Sequence, residues 1–224
     1  MGKKIMRIFI FFAILISATL FPCRISAMPV MGRIILIDAG HGGWDPGKQV
    51  QNVVDEKQIN LSIAEFLQIY LEQGGATVFM TRATDTALAK RKTPDLDARG
   101  QMVKEFSTEI FVSIHQNAYP NASAKGAQVF YYDGSERSKA LAEAIQSNMC
   151  DFLAGSVCRE AKANKEYYVL RKTAAPAVIV ECGFMTNSEE AAMLANTEYQ
   201  QKVAWAIYMG IIEYFSKEFP AEPS

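Results

Sequence analysis

Five short runs of apolar and β-branched residues recur along the chain and predict the strands of a sheet. Each run has the length of a strand and is bounded by glycine, proline or polar residues. The run from Ala177 to Cys182 is apolar at nearly every position, which is typical of a strand buried on both faces. The predicted strands are Ile34–Ile37, Thr77–Met80, Ile110–Ile114, Ala127–Tyr132 and Ala177–Cys182.

Helical spacing of apolar residues fills most of the sequence between these runs. The first helical segment joins the first two strands, so those strands are predicted to be parallel. Because strands alternate with helices, the predicted fold class is α/β, a single domain with one sheet covered by helices on both faces. The predicted helices are Asp55–Gln73, Leu96–Phe106, Ser135–Phe152, Asn187–Leu194 and Glu198–Phe215.

Three further segments carry weaker local signals. The polar stretch from Arg82 to Pro94 is predicted to be a long surface loop, a kind of segment that is often functional. Tyr167 to Leu170 is predicted to be a short strand or an extended segment. Asn187, followed three residues later by Glu190, predicts a capping box at a helix start.

The first 27 residues have the pattern of an export signal. Three cations precede an apolar run from Ile8 to Ile16, which is too short for a comfortable membrane span, and Ala27 offers a cleavage site. An uncleaved anchor is the alternative, whereas Phe21 and Pro22 disfavour lipidation at Cys23. We therefore expect a signal peptide or anchor over residues 1–27, one folded domain over 28–217, a loose tail over 218–224, and an exported protein.

Charge and cysteine content narrow the possible functions. Residues 1–27 carry four of the 23 basic residues and none of the 24 acidic ones, so the remainder has a net charge of about −5, which disfavours a nucleic-acid partner. Cys150 and Cys158 flank a short turn and could pair outside the cytoplasm, a pairing that the sequence leaves open. Cys182 is predicted to be a core thiol, and the absence of a CxxC motif excludes a cysteine zinc site.

The chain has only two histidines, and both follow predicted strands. His41 lies in a glycine-rich loop after the first strand, and His115 follows the third. Ligands bind at the carboxyl ends of the strands in open α/β sheets, and the helix that begins near Glu56 starts at the same edge. Two imidazoles and one carboxylate leave an open position for water, as in a hydrolytic zinc site. The pattern therefore predicts that His41, Glu56 and His115 bind a metal ion.

Glu181 is a second candidate because it lies inside an apolar run, where an unpaired carboxylate is costly. Beside a metal site it could act as a general base. The alternative is a buried ion pair of Glu181 with Arg171 or Arg82. Ordinary structural roles also exist for the other candidates, since a histidine at a strand end is often only hydrogen-bonded and a glutamate in the first turn of a helix interacts favourably with the helix dipole.

The chain contains, in this order, the motifs IDAGHGGWDPG, Glu56 with the following Asn60-Leu61, VSIHQNA, and VIVECGFMTNSEEAAML. Together these four motifs resemble those of the zinc-dependent N-acetylmuramoyl-L-alanine amidases. The resemblance extends from about Arg33 to Phe215 and implies a mixed, mainly parallel sheet flanked by helices. It also implies zinc ligands at His41, Glu56 and His115 and a catalytic glutamate at Glu181.

The chain also contains the loop sequences RKTPDLDAR, GAQVFYY and YYVLRKTAAPAVIVE. They resemble those of the sporulation and germination subgroup of this family. The resemblance implies removal of the stem peptide from muramic acid in spore cortex peptidoglycan, a step toward muramic-δ-lactam, by a protein in the cell wall or the forespore intermembrane space. It further implies that Asn117 and Arg171 line the substrate groove.

Two other functions are compatible with parts of the pattern. A zinc carboxypeptidase would need His-x-x-Glu in the first ligand loop, where this chain has Trp44. A peptidoglycan-binding protein that is active only with a partner protein is the second alternative. The sequence contains neither wall-binding repeats nor an inserted helix between His115 and Glu181, so we expect targeting by the N-terminal segment, the domain itself or a protein partner.

Overall fold

The computed structural model describes residues 28–153 and 157–218. The predicted signal or anchor over residues 1–27 and residues 219–224 of the predicted tail lie outside the described residues, whereas residue 218 ends the last helix. The strands are β1 (Ile34–Ala39), β2 (Thr77–Met80), β3 (Ile110–Asn117), β4 (Gln128–Tyr132), β5 (Lys162–Asn164) and β6 (Ala177–Phe184). The helices are α1 (Glu56–Gln73), α2 (Lys92–Glu105), α3 (Glu136–Phe152), α4 (Tyr168–Lys172), α5 (Ser188–Leu194) and α6 (Thr197–Glu218).

One six-stranded sheet, in the order β2-β1-β3-β6-β4-β5, organises the domain. Strands β2, β1, β3 and β6 are mutually parallel, and β4 is antiparallel to β6. The prediction of a mixed, mainly parallel sheet is therefore confirmed. Parallel register between β1 and β3 brings their carboxyl ends, and the residues that follow them, to the same edge.

Helices cover both faces of this sheet, as predicted. In β1, Ile35 and Ile37 face the larger apolar cluster, which α1, α3 and α6 complete with residues such as Leu67, Ile145 and Ile207. The intervening Leu36 belongs to a smaller cluster on the opposite face, with residues of α2 and α4 such as Val103, Val169 and Leu170. This alternation follows from the two-residue repeat of a strand.

Two local predictions are wrong. Tyr167–Leu170 is not extended, because the side chain of Asn164 accepts hydrogen bonds from the backbone N–H groups of Glu166 and Tyr167 and starts the short helix α4. Helix α2 begins at Lys92 rather than Leu96, so the surface loop after Arg82 is shorter than predicted. The loop was predicted because this stretch is polar and lacks apolar periodicity, but Lys92 and Thr93 are helical, and proline at position 94 is tolerated in the first turn of a helix.

Helix caps also differ in part from the prediction. Asn187 caps α5 by accepting from two backbone N–H groups, but Glu190 does not reach back to complete a capping box. Its buried carboxylate instead accepts from the backbone of Gly126 and Phe184. The capping box occurs at α1, between Asp55 and Gln58.

Cys150 and Cys158 form a disulfide, which resolves the pairing that the sequence left open. Cys182 is a buried free thiol, as predicted. Within residues 28–153 and 157–218, no helix combines the length and the apolar character that crossing a membrane would need.

Candidate metal centre

His41, Glu56 and His115 converge at the carboxyl edge of the sheet. One nitrogen or oxygen atom from each lies within 4.8 Å of the others, and the group could hold a metal ion. His41 is in the loop after β1, His115 lies near the end of β3, and Glu56 begins α1. The structure thus brings together the three residues that the sequence singled out as metal ligands.

Glu56 lies at the centre of the group and is almost fully buried. Its Oε1 lies 3.2 Å from His41 Nε2 and 3.0 Å from His115 Nδ1, and its Oε2 accepts a hydrogen bond of 2.7 Å from the Lys48 backbone. Burial alone would raise the pKa of this carboxyl, but the hydrogen bonds from His115 and His41 outweigh it and hold the pKa far below its usual range. Glu56 is therefore negatively charged at neutral pH.

His41 is oriented by Asp45, a residue that the sequence did not single out. The Nδ1 atom of His41 lies 2.8 Å from Asp45 Oδ2, which leaves Nε2 directed at Glu56. Burial lowers the pKa of His41, but Glu56 and Asp45 raise it more, to about 8. A carboxylate on the far nitrogen is the usual partner of a metal-binding histidine. The spacing of four residues in the motif HGGWD is the sequence signal that could have found it.

Two buried arginines hold the glycine-rich loop through its carbonyl groups. Arg99 donates to the carbonyl oxygens of Ala39 and His41, over 3.0 and 2.8 Å. Arg82 donates to those of Ala39 and Gly40, over 2.8 and 2.9 Å. His41 itself has a φ of 61°, a left-handed conformation that costs energy for a residue other than glycine. The arginines therefore fix a backbone that glycines alone would leave free.

Glycine is also required where His115 and Glu56 pack against the loop. A Cβ on Gly40 would overlap the imidazole of His115, and a Cβ on Gly47 would lie 2.6 Å from Glu56 Oε2. The glycines of the motif thus serve close packing as well as backbone conformation.

Glu181 is 7% exposed and is the register partner of His115 across β3 and β6. The hydroxyl of Tyr167 donates to its Oε1 over 3.3 Å. Neither arginine considered from the sequence pairs with Glu181, because Arg82 binds loop carbonyls and Arg171 lies over the ring of Tyr168. Burial raises the pKa of Glu181 to about 7, so this carboxyl can both accept and release a proton near neutral pH.

A cavity of about 280 Å³ adjoins the histidines. Its lining includes His41 and His115, the half-exposed indole of Trp44, and the aromatic pair Tyr167 and Tyr168.

The two predicted substrate-binding residues lie in different places. Asn117 ends β3, two residues after His115, and its side chain accepts from the Ala118 backbone. Arg171 lines another cavity, together with residues such as Ser135 and Pro176.

A family model described as N-acetylmuramoyl-L-alanine amidase matches residues 35–213. The chain belongs to this family. The match covers β1 through most of α6 and contains every residue of the candidate metal centre. The fold and the family thus agree with the resemblance carried by the sequence motifs.

Proteins similar to this amidase include amidases of Bacillus subtilis and Clostridioides difficile. A germination-specific N-acetylmuramoyl-L-alanine amidase of Bacillus subtilis is 36% identical over 86% of this chain and 84% of its own length. The CwlD amidase of Clostridioides difficile, solved in complex with the GerS lipoprotein, is 36% identical with a TM-score of 0.79, over 83% of this chain and 100% of that one. An N-acetylmuramoyl-L-alanine amidase of Clostridium difficile 630 is 31% identical with a TM-score of 0.77, over 84% and 99% of the two chains.

Proposed function

We propose that this amidase is zinc-dependent and cleaves the amide bond between the lactyl group of N-acetylmuramic acid and L-alanine in peptidoglycan. N-acetylmuramoyl-L-alanine amidase activity follows from the family. The observation that carries the zinc dependence is the convergence of His41, Glu56 and His115 beside the buried Glu181, which forms no ion pair with the described residues.

The donor set fits a zinc ion. Two imidazole nitrogens and one carboxylate oxygen are typical of catalytic zinc sites, which keep one position open. Asp45 supplies the carboxylate that such sites place behind a ligand histidine. We therefore assign His41, Glu56 and His115 as the zinc ligands. Bound zinc supplies Lewis-acid chemistry, since it polarises an amide carbonyl and makes a water molecule more acidic.

Glu181 is the proposed catalytic residue. Its carboxylate would take a proton from the attacking water and later give that proton to the amine of L-alanine as the amide bond breaks. Burial raises the pKa of this carboxyl above that of an exposed glutamate, which makes the carboxylate a stronger base. The absence of an ion pair with Arg82 or Arg171 leaves the carboxylate basic.

Substrate binding is proposed for the open cavity beside the histidines. Trp44 and Tyr168 offer aromatic surfaces and Lys92 a positive charge to a glycopeptide. Asn117 is near enough in sequence to His115 to contact the substrate at the rim. Arg171 has less support as a binding residue, because it lines a different cavity.

A role in spore cortex modification, with formation of muramic-δ-lactam, is the finer part of the proposal. It is supported by the germination-specific name of the Bacillus subtilis relative. The Cys150–Cys158 disulfide supports an exported location, since disulfides persist outside the cytoplasm. The CwlD amidase was solved with a lipoprotein, which supports a protein partner for this chain as well.

The test compares zinc content and stem-peptide release in protein purified without residues 1–27. The wild type is expected to bind one zinc ion per chain and to release stem peptide, and His115→Ala is expected to lose both. Glu181→Gln is expected to keep zinc and to lose activity by about 10²–10⁴-fold. A zinc-loaded Glu181→Gln protein with near wild-type hydrolysis would exclude the proposed role of Glu181.

The alternative, an amidase that needs a partner to become active, makes a different prediction. A well-folded wild type with little zinc and no stem-peptide release would favour it. Addition of the partner would then restore both properties in the wild type and neither in His115→Ala.

A further inference from the structure

The carboxylate of Glu181 is held asymmetrically. Its Oε1 accepts the hydrogen bond of Tyr167, whereas Oε2 is buried and has no hydrogen-bond partner among the described residues. Buried carboxylate oxygens are normally hydrogen-bonded, so an unpartnered one marks a place for a water molecule or a ligand. The two oxygens of Glu181 are therefore in different environments, and Tyr167 makes the difference.

Tyr167 is itself held in a fixed position. Its backbone N–H donates to the side chain of Asn164 over 3.0 Å, at the N-terminal end of α4. Its ring packs edge-to-face on Phe130, with centroids 5.3 Å apart. Backbone and ring are thus both anchored, so the hydroxyl can act as a rigid support for Glu181.

We propose that Tyr167 is a positioning residue that fixes the Glu181 carboxylate through Oε1 and leaves Oε2 as the atom that exchanges the proton. This inference rests on the proposed function in taking Glu181 as the proton acceptor. A phenol suits the task because it is uncharged, so it orients the carboxylate without neutralising it as an arginine would. Without the hydroxyl, the buried carboxylate is free to turn about its last side-chain bond.

Tyr168 provides a matched control. It is the next residue, it lines the same cavity, and its hydroxyl donates to Asp97 over 2.7 Å rather than to Glu181. Tyr168→Phe therefore removes the same group from the same cavity but leaves Glu181 untouched. Tyr167→Phe keeps the ring that packs on Phe130, so the fold is retained.

The experiment compares the wild type, Tyr167→Phe and Tyr168→Phe. For each protein, kcat and KM are measured on a muropeptide, the zinc content is determined, and the crystal structure is solved. Tyr167→Phe is expected to lower kcat about 10-fold, a typical effect of one lost hydrogen bond to a charged group. Its KM is expected to change by less than about twofold, because the lost interaction serves the chemical step. Its zinc content should equal that of the wild type, and Glu181 should occupy more than one orientation. Tyr168→Phe should keep a single Glu181 orientation, and its kcat should fall clearly less than that of Tyr167→Phe.

Three results would overturn the positioning role. They are an unchanged kcat in Tyr167→Phe, an equal loss of kcat in both variants, and a single wild-type orientation of Glu181 in the Tyr167→Phe crystal. Failure of the proposed function looks different, because the zinc-loaded wild type would itself release no stem peptide. In that case the orientation of Glu181 in the crystals still decides whether Tyr167 positions it.

Discussion

Arg99 donates a hydrogen bond of 2.5 Å to Asp38, and both side chains are almost completely buried next to the loop that carries His41. Asp38 also accepts from the hydroxyls of Thr81 and Ser113, so both of its oxygens are satisfied. Burial would raise the pKa of Asp38, but the charge of Arg99 and these hydrogen bonds lower it below its ordinary value. The loop after β1 is thus supported by a buried ion pair in which both oxygens of Asp38 have hydrogen-bond partners.

Asp38→Asn is predicted to destabilise the domain. The substitution leaves the guanidinium of Arg99 with Asp95 as its remaining acidic partner, and removal of one member of a buried ion pair costs about 3 kcal/mol or more. The measurement is the unfolding free energy from urea titration at pH 7. Asp133→Asn is the control, because Asp133 pairs with Lys165 at the exposed surface and such pairs contribute little. Equal stability of Asp38→Asn and wild type would contradict the prediction.

The same pair predicts how stability depends on pH. Because the pKa of Asp38 is lowered on folding from its ordinary value of 3.8, its contribution is fully present above that value. It is lost as pH falls below 3.8 toward the folded pKa. The stability difference between wild type and Asp38→Asn should therefore be constant near neutral pH and shrink in acid. A difference that grew with acidity would exclude this linkage.

The disulfide is predicted to stabilise the domain without affecting the metal centre. Cys150 and Cys158 close a loop with a sequence separation of 8, for which loop-closure entropy gives about 2–3 kcal/mol. The double variant Cys150→Ser/Cys158→Ser should lose this amount in urea unfolding and keep wild-type zinc affinity. Reductant should destabilise the wild type equally and leave the double variant unchanged; an effect of reductant on the double variant would point to another cause.

Asp45 is predicted to support zinc binding through His41. Loss of the carboxylate behind a ligand histidine typically lowers metal affinity about 10–100-fold, which is the expected effect of Asp45→Ala in chelator competition. Asp85→Ala is the matched control, since Asp85 accepts from the Gly43 backbone of the same loop but contacts neither histidine. If both variants lose affinity equally, the effect comes from the loop and not from the orientation of His41.

The sequence predicted the sheet well because its central strands are apolar runs with no competing interpretation. Helix α2 shows the limit of prediction from apolar spacing. Its buried residues are Asp95, Arg99, Gly100 and Val103, of which only one is a typical apolar core residue. Apolar spacing therefore could not locate its first turn. The burial of Arg99 was not predictable either, because it depends on hydrogen bonds to loop carbonyls that are distant in sequence.

The candidate site, like the fold, was predictable from the sequence only in part. His41 and His115 were found because the only two histidines follow neighbouring strands, and Glu56 because a helix must start at that edge. Asp45 and Tyr167 were missed, since their roles depend on which nitrogen of His41 faces inward and on the unexpected helix α4. Local patterns placed the backbone of the site, whereas the orientation of its side chains depends on contacts between distant segments.

Gly40→Ala is predicted to remove zinc binding from a folded protein. The new methyl group would overlap the His115 ring, which must then turn away from Glu56. The loss should appear as a large fall in zinc affinity with little change in the unfolding transition of the metal-free protein. Gly100→Ala is the control: its Cβ would lie 3.6 Å from that of Lys172, an ordinary contact, and alanine in a helix should stabilise by about 0.4–1 kcal/mol. Wild-type zinc affinity in a folded Gly40→Ala protein would show that His115 does not need this close packing to bind the metal.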